Sequence, residues 1–266
     1  MTSRRLDAEL VTRGLARSRG QARELVDAGV VLVDGVRAGK PALPVRPDTA
    51  IVLTRPAEKW VGRAALKLLH AVQTWPIDVA GRRCLDVGAS TGGFTQVLLE
   101  HGAAHVTALD VGHDQLAAEV ADDPRVTDVP GTNVREVDPE ALGGPCELVV
   151  ADLSFISLTV VLRSLRALVR DDGDLVVLVK PQFEVGRERL SRTGVVSSVH
   201  ERRRVLAAVV DVAMELGLQL HGALPSPIAG GDGNREFLLW LRPGRPGAAP
   251  SDPDAMLGAI DLEGDQ

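Results

Sequence analysis

The sequence predicts an α/β protein with a mostly parallel sheet, preceded by a small α+β domain. Strand and helix signals alternate after about residue 60, a two-helix and hairpin pattern precedes them, and prolines separate the two regions. The 266 residues are 45% hydrophobic and 25% charged, enough to build one medium and one small domain. We place residues 1–58 in the first domain and its linker, 59–242 in the second, and 243–266 in a flexible Pro/Gly/Asp-rich tail.

Cysteine content and hydropathy exclude several classes of protein. Two cysteines, Cys84 and Cys146, are too few for a disulfide scaffold or a Cys-rich zinc site, and we name no metal ligand. No apolar run approaches the ~18 residues that a membrane span needs. The first ten residues are charged and lack the apolar centre of a signal peptide. We therefore expect a cytoplasmic protein with no membrane partner.

Charge is distributed unevenly along the chain. The net charge is −6, but residues 1–60 hold eleven Arg and Lys against seven Asp and Glu, a net of +4. Residues 61–266 carry a net of −10. A basic head on an acidic body suggests a module that binds a polyanion, attached to a second domain with another task.

The first domain is predicted to contain two short helices and a small hairpin. Two runs of apolar residues have helical spacing: Leu6, Leu10 and Leu15, then Ala22, Leu25 and Val26. Ser18 is placed to cap the second helix. Val30–Val33 forms a strand, Asp34-Gly35 is a hairpin turn signal, and Ala50–Leu53 is a further strand.

This segment resembles the S4 RNA-binding domain over roughly residues 4–54. The residue types recur in order at the spacing of that family: Arg5-Leu6-Asp7, Arg13-Gly14-Leu15-Ala16, Ser18-Arg19, Ala22, Leu25, Gly29, Val31, Val33 and Gly35. The resemblance implies that a basic helical face holds structured RNA through its phosphates. The arginines that it nominates for RNA binding are Arg4, Arg5, Arg13, Arg17, Arg19 and Arg23.

The second domain alternates strand and helix signals. Its apolar strand candidates are Cys84–Val87, His105–Leu109, Leu148–Ala151, Leu175–Val179, Gln219–Leu224 and Phe237–Leu241. The helical stretches between them are Phe94–His101, Asp114–Val120, Leu158–Val169 and Val199–Leu216. Repeated β–α units imply a parallel sheet with helices on both faces, and ligands of such sheets bind at the carboxyl ends of the strands.

A glycine-rich loop, Asp86 to Phe94, follows the first strand of this sheet and admits three interpretations. A dinucleotide site requires glycine where Ser90 stands, because the backbone must approach a pyrophosphate there. A serine hydrolase would use Ser90 as nucleophile, since residues 88–92 satisfy G-x-S-x-G. That elbow normally follows several strands, and this interpretation gives no role to Asp86 or Gly93.

The third interpretation, which we favour, is an S-adenosylmethionine site. An acid at a strand tip, a glycine turn and a helix start suit a zwitterionic amino acid joined to a ribose. Asp86 is expected to help position the cationic end, and Asp110, twenty-two residues after Gly88, to bind the ribose diol. Asn133 is expected near the adenine, with a turn-forming role as the alternative. The predicted cofactor residues are Asp86, Gly88, Ala89, Ser90, Thr91, Gly92, Gly93, Phe94, Asp110 and Asn133.

Four charged residues stand in apolar settings and are candidates for catalysis. Lys67 lies in an apolar helical stretch, Asp152 and Lys180 each follow an apolar strand, and Glu236 opens another after a Gly-rich loop. Taken singly, a strand-end Asp is often a cap and a strand-end Lys often extends to water. Strand ends are nevertheless where active sites of α/β sheets gather.

Together, these four residues resemble the K-D-K-E tetrad of the RrmJ/FtsJ-type ribose 2′-O-methyltransferases. With the S4-like domain, the chain is similar to the TlyA (hemolysin A) family of ribosomal RNA 2′-O-methyltransferases over roughly residues 4–242. The motifs that carry this likeness are RLDAELVTRGLARSR, VGRAALKL, CLDVGASTGGFTQVLL, ADLSFISL, LVKPQFEVG and NREFLLWL. One departure is Gly62-Arg63-Ala64-Ala65, where the family usually shows Ser-Arg-Gly-Gly.

The resemblance implies a Rossmann-like class I methyltransferase domain, S-adenosylmethionine as cofactor, and ribosomal RNA or ribosomal subunits as partner. The substrate would be a cytidine 2′-hydroxyl in small- or large-subunit RNA. Lys180 is our candidate for contacting and deprotonating that hydroxyl, with Asp152 and Glu236 holding the lysines in place.

Three other functions stay open at this point. The hemolysin name suggests a membrane-active protein, although the sequence shows no membrane span. A base N-methyltransferase is suggested by Asp152-Leu153-Ser154-Phe155, but both prolines of the D-P-P-Y motif are missing. An RNA-binding adaptor without catalysis would leave the motifs of the second domain unused.

Overall fold

The computed structural model describes residues 3–55, 59–186, 188–244 and 252–263. The chain divides into two compact units, Met1–Trp60 and Val61–Gln266. The domain boundary that we placed near residue 58 falls among residues 56–58, which lie outside the described residues.

The first unit is a small α+β module with its own apolar core. Its elements in chain order are β1 (Arg4–Arg5), α1 (Leu6–Thr12), α2 (Arg19–Asp27), β2 (Val31–Val33), β3 (Val36–Arg37), β4 (Pro44–Val45) and β5 (Ile51–Leu53). Strand β2 lies between β3 and β5, and β1 pairs with β4. The predicted cap is confirmed, because Ser18 accepts a hydrogen bond from the Gln21 amide. Leu15 lies beyond α1, which ends at Thr12 before Gly14 turns left-handed at φ +69°.

The second unit is built around a seven-stranded sheet. Its elements in chain order are α3 (Ala65–Thr74), β6 (Arg83–Val87), α4 (Gly93–Glu100), β7 (His105–Leu109), α5 (Ala118–Ala121), β8 (Val126–Val129), β9 (Cys146–Ala151), α6 (Leu158–Leu168), β10 (Val169–Val179), α7 (Pro181–Glu184), α8 (Val199–Glu215), β11 (Leu218–Pro225), β12 (Phe237–Pro243) and α9 (Pro253–Gly258). The strand order is β11-β12-β10-β9-β6-β7-β8. Strand β12 is antiparallel to both of its neighbours, β10 and β11, and the remaining adjacent pairs are parallel, which confirms the mostly parallel sheet.

Helices cover both faces of this sheet, which explains why the buried parts of its central strands are mainly apolar. Leu85 and Val87 of β6 belong to the core packed against α6 and α8. Asp86, between them, points to the other face, where its side chain accepts a hydrogen bond from Thr95 of α4. The alternation of side chains along one strand therefore sends successive residues into two different layers.

The helix predicted over Asp114–Val120 is wrong in its extent. Asp114 has a left-handed backbone at φ +54°, and helix α5 begins only at Ala118. The Ala117 amide donates to the Thr91 carbonyl, so this stretch follows the glycine loop. The hydrogen bond to Thr91 takes the place of a bond within a helical turn at Ala117. The spacing of apolar side chains in the sequence gives no sign of this backbone contact.

The predicted flexible tail, residues 243–266, is corrected over residues 252–263. Helix α9 forms there, and three apolar residues around its end are buried: Leu257, Ile260 and Leu262. The buried Arg202 donates to the Leu262 carbonyl at 2.7 Å and to the Val196 carbonyl at 2.9 Å. The composition of the predicted tail indicated disorder because Pro, Gly and Asp outnumber its apolar residues. Leu257, Ile260 and Leu262 nevertheless pack into the core of the second unit.

The structure also bears on the question of membrane insertion. No helix within residues 3–55, 59–186, 188–244 and 252–263 combines the length and the apolar character needed to cross a bilayer.

Candidate active site

Four predicted catalytic side chains from four elements meet at one edge of the sheet. Lys67 lies on α3, Asp152 and Lys180 directly follow β9 and β10, and Glu236 directly precedes β12. Because β12 runs antiparallel, its start lies at the same edge as the ends of β9 and β10. This arrangement brings Lys67 and Glu236 into contact although they are 169 residues apart in the sequence.

These four side chains form a row of alternating charge. Lys67 Nζ lies 2.6 Å from Glu236 Oε2 and 3.6 Å from Asp152 Oδ2. Lys180 Nζ lies 2.6 Å from Asp152 Oδ1. Each side chain is at most 12% exposed. Two cations against two anions make this burial tolerable, because an unpaired buried charge is far more costly than a paired one.

The glycine loop after β6 is held close to the end of β9. Gly88 has φ +83°, and a Cβ at this position would lie 2.5 Å from the Asp152 carbonyl oxygen. Only glycine fits such an approach without moving the backbone that carries Asp152. Ser90 donates its amide to Asp110 Oδ2, and Gly112 donates its amide to Asp110 Oδ1, both at 2.8 Å. Asp110 thus ties the end of β7 to the glycine loop.

Two cavities open beside this loop. The smaller, about 310 Å³, is lined by the tetrad members Lys67, Asp152 and Lys180, with residues of the glycine loop, the Gly62–Ala64 turn and the 228–231 loop. The larger, about 470 Å³, is mainly apolar but includes Asp110 and Asn133. The two cavities share four lining residues and so adjoin one another: Gly88, Ser90, Asp152 and Ser154.

The residues around the two cavities fit the cofactor expected from the sequence. An apolar cavity with a carboxylate at a strand end suits a nucleoside, whose ribose hydroxyls donate to the acid. Both Asp110 oxygens accept a backbone amide, and each keeps a further acceptor position for a diol. The adjoining charged cavity has room for an amino-acid moiety beside the lysines.

Most of the predicted cofactor residues line these cavities. Those in the lining are Gly88, Ala89, Ser90, Thr91, Gly93, Phe94, Asp110 and Asn133. Asn133 also caps a short 3₁₀ turn, because its Oδ1 accepts from the Arg135 amide. Gly92 is outside both linings and serves the packing instead, since a Cβ there would lie 2.8 Å from Leu116 Cδ1.

Asp86 lies beneath the loop rather than in a cavity, which corrects its expected direct contact with the ligand. Its side chain is fully buried, and Oδ2 accepts from Thr95 Oγ1 at 2.7 Å. Oδ1 has no hydrogen-bond partner among the described residues. Burial raises the pKa of this carboxyl to about 7. Any influence of Asp86 on a bound cation is therefore exerted through its charge, across the loop.

We expect Asp86→Asn to remove a pH dependence of stability. With a folded-state pKa of about 7 against an ordinary 3.8, this group favours the folded state at acidic pH. Its contribution is complete below about pH 4 and is lost as the pH rises to about 7, a change of roughly 4 kcal/mol. Asparagine cannot ionise, yet it keeps an oxygen for Thr95. Urea unfolding at pH 5 and pH 8 should therefore show the variant gaining relative stability at the higher pH.

The control for this prediction is Asp211→Asn, which changes an exposed carboxylate on α8. Its effect should be small and similar at both pH values. A stability difference between Asp86→Asn and wild type that is equal at pH 5 and pH 8 would contradict the prediction.

The structure does not assemble a serine hydrolase around Ser90. No histidine is among the described residues that line the two cavities. His221 packs against the Trp240 ring with centroids 5.3 Å apart, and His200 is exposed on α8. The elbow motif at residues 88–92 thus lacks the base that such a nucleophile requires.

Three of the predicted RNA-binding arginines converge on one buried acid in the first unit. Asp7 lies 2.9 Å from Arg5, 3.1 Å from Arg19 and 3.6 Å from Arg23. The hydrogen bonds from Arg5 hold the pKa of Asp7 well below its usual range. All three arginines remain about half exposed, so their common surface keeps excess positive charge for a polyanion.

The other nominated arginines are placed differently. Arg13 contacts Glu9 Oε1 at 2.8 Å and donates to the carbonyls of Thr49 and Pro47. Arg13 thus fastens the loop before β5, and its expected contact with RNA stays a prediction. Arg4 is exposed on β1, and the Arg17 amide donates to Gln21 Oε1 ahead of α2.

Sequence reasoning missed two residues of the site, although both stand in the motif ADLSFISL. Ser154 Oγ accepts from Lys180 Nζ at 2.8 Å and lines both cavities. Phe155 is 90% exposed, has φ +64° and lines the larger cavity. Their signal is their position two and three residues after Asp152, a catalytic candidate at the end of a strand.

Comparisons with known proteins agree with this geometry. The family model of FtsJ-like methyltransferases matches residues 60–243, and that of the S4 domain matches residues 4–51. The 16S/23S rRNA (cytidine-2′-O)-methyltransferase TlyA of Mycobacterium tuberculosis is 54% identical over 239 residues, covering 90% of this chain and 89% of the relative. The 23S rRNA (cytidine-2′-O)-methyltransferase TlyA of Campylobacter jejuni is 32% identical, covering 86% and 96%. A solved chain from Streptococcus thermophilus that carries the name hemolysin has a TM-score of 0.70 at 35% identity, covering 97% and 95%.

Proposed function

The chain belongs to the family of FtsJ-like methyltransferases, and we propose that it transfers a methyl group to a cytidine ribose 2′-hydroxyl of ribosomal RNA. The methyl donor of this proposal is S-adenosylmethionine, which supplies an already activated methyl group when bound. The observation that carries the proposal is the row of alternating charge, in spatial order Glu236–Lys67–Asp152–Lys180, at the edge of a cavity that adjoins a nucleoside-sized one. With ribosomal RNA as substrate, the enzyme would act in the cytoplasm.

Lys180 is the residue that acts on the substrate hydroxyl in this proposal. A ribose 2′-hydroxyl is a poor nucleophile while it holds its proton, so the protein must orient it and assist proton loss. Lys180 lines the smaller cavity, where its amine form would accept the proton from the hydroxyl oxygen. Asp152, 2.6 Å away, would then compensate the charge that Lys180 gains. No covalent intermediate with the protein is required.

Lys67 and Glu236 keep Asp152 in place rather than contacting the reacting atoms. Lys67 bridges the two carboxylates, and Glu236 is only 3% exposed behind it. Without Lys67, buried Glu236 would lose the lysine that pairs with it, and Asp152 would keep only Lys180, which makes two neighbouring carboxylates more costly to hold in the charged form. We therefore describe Lys67 and Glu236 as positioning residues.

Calorimetry and methyl transfer together test the proposed function. Purified protein should bind S-adenosylmethionine, and labelled methyl should pass to the RNA of ribosomal subunits and remain with that RNA after protein digestion. Binding of a nicotinamide dinucleotide instead, or label confined to protein, would contradict the proposal. A vesicle-leakage assay tests membrane activity in parallel, and we expect no release of vesicle contents.

Arg19→Ala combined with Arg23→Ala should weaken binding of ribosomal RNA and flatten its salt dependence. Each lost phosphate contact lowers the slope of log affinity against log salt by about one unit, so the double change should remove up to about two. Asp7 keeps Arg5 as partner at 2.9 Å, which should preserve the fold of the first unit. Filter binding across salt concentrations measures the slope.

The matched control is Arg163→Ala, which removes an exposed guanidinium from α6 in the second unit. Its slope should equal that of wild type. An unchanged slope in the double variant would place the phosphate contacts on other residues.

A further inference from the structure

Lys180 differs from Lys67 in the partners that surround its amine. Lys67 Nζ is paired with two carboxylates, Glu236 and Asp152. Lys180 Nζ is paired with one carboxylate, Asp152 at 2.6 Å, and donates to one neutral hydroxyl, Ser154 Oγ at 2.8 Å. Ser154 lies where the two cavities adjoin, because it belongs to the lining of both.

We propose that Ser154 is a positioning residue that directs the lone pair of Lys180 toward the substrate hydroxyl. This inference rests on the proposed function, since it gives Lys180 a proton to accept. A neutral lysine amine has two N–H bonds and one lone pair in a tetrahedral arrangement. When one N–H is donated to Ser154 Oγ and the other is drawn toward Asp152, the ion-pair partner at 2.6 Å, the remaining position belongs to the lone pair. With Asp152 alone, the amine rotates and the lone pair has no fixed direction.

The loop that carries Ser154 is fastened to the helix that follows Lys180. Phe155 packs against the ring of Phe183 in α7, with centroids 5.1 Å apart. Glu184, also in α7, accepts from the Leu158 amide at 2.7 Å and from the Ser157 hydroxyl. The chain between Asp152 and α6 is thereby tied to the residues directly after Lys180.

Backbone strain in this loop supports a positioning role. Phe155 adopts φ +64°, a left-handed conformation that is unfavourable for a bulky residue. Strain of this kind persists only where the surrounding contacts determine the conformation. The reversal at Phe155 is held from α7, and Ser154 directly precedes it. These contacts restrain the segment that carries Ser154, whose Oγ lies 2.8 Å from Lys180 Nζ.

Three variants test whether the hydroxyl of Ser154 sets the rate. Single-turnover methyl transfer to ribosomal subunits should fall about tenfold to a hundredfold in Ser154→Ala, the size of loss that misplacement of a reacting group produces. Affinities for S-adenosylmethionine and for RNA, measured separately, should stay within about twofold of wild type. Ser154→Thr keeps a hydroxyl and should recover most of the rate. Ser198→Ala removes a remote serine that caps α8, and its rate should equal that of wild type.

The outcomes separate this inference from the proposed function. A wild-type rate in Ser154→Ala overturns the role of Ser154 while leaving the proposed function intact. A loss that Ser154→Thr does not recover, or one that falls on cofactor affinity, also overturns it, because the hydroxyl would then not be what positions Lys180. Absence of methyl transfer by wild-type protein contradicts the proposed function itself.

Discussion

Lys180→Ala is expected to lower single-turnover methyl transfer by about 10²–10⁴, the usual cost of removing a positioned proton acceptor. Affinity for S-adenosylmethionine should stay close to wild type, because its predicted contacts lie on the glycine loop and on Asp110. Lys180→Arg should be nearly as damaging, since a guanidinium does not give up its proton near neutral pH and has a different shape. The measurement is transfer of labelled methyl with enzyme in excess over RNA, beside calorimetry of the cofactor.

The control for this prediction is Lys40→Ala, which removes an exposed lysine from the first unit. At saturating RNA its single-turnover rate should match wild type. Thermal unfolding of both variants separates chemistry from folding, because Lys180→Ala leaves Asp152 with Lys67 as a remaining counter-charge at 3.6 Å. Full single-turnover rate in Lys180→Ala would remove this lysine from the chemistry.

Gly88→Ala is expected to weaken cofactor binding by at least about tenfold, or about 1.4 kcal/mol. The new Cβ would lie 2.5 Å from the Asp152 carbonyl oxygen, so the loop or the end of β9 must move. Both segments line the two cavities, and Asp152 also holds Lys180. Calorimetry should therefore show lost affinity, and single-turnover transfer should fall with it.

Gly81→Ala is a matched control for the backbone. Gly81 has a comparable φ of +72°, but a Cβ there would meet no atom within 4 Å. Because alanine is strained in a left-handed backbone, the free energy of unfolding should fall by about 1 kcal/mol, and cofactor affinity should equal that of wild type. Equal cofactor affinity in the two variants would show that the approach of Gly88 to Asp152 is not what shapes the site.

Much of the fold was predictable because apolar runs record burial. Strand β9 and the second half of β10 are buried on both faces, so Leu148–Ala151 and Leu175–Val179 form continuous apolar runs that predict strands, whereas the polar first half of β10, from Val169, carries no such signal. An apolar run does not show in which direction its strand lies in the sheet. The antiparallel direction of β12 nevertheless brings Glu236 to the edge where β9 and β10 end. Docking of α9 depends on a few apolar residues within a Pro/Gly-rich stretch, which composition alone conceals.

The candidate site was predictable in its membership and less so in its contacts. Strand ends nominated Asp152 and Lys180, but no spacing in the sequence shows that Asp152 lies between two lysines. Asp86 and Arg13 were predicted to contact a ligand, but their side chains form internal hydrogen bonds. Asp86 accepts from Thr95, and Arg13 donates to a backbone carbonyl. Such choices depend on distances between distant segments, which a local pattern does not contain.

Mapping the methylated atom tests the central claim most directly. Ribosomal subunits lacking the modification are incubated with S-adenosylmethionine and either wild-type protein or Lys180→Ala, and the RNA is digested to nucleosides for mass spectrometry. Wild-type protein should yield 2′-O-methylcytidine, and Lys180→Ala should yield almost none in the same time. Methyl on a base, or equal amounts of 2′-O-methylcytidine from both proteins, would contradict the assignment of this tetrad to ribose methylation.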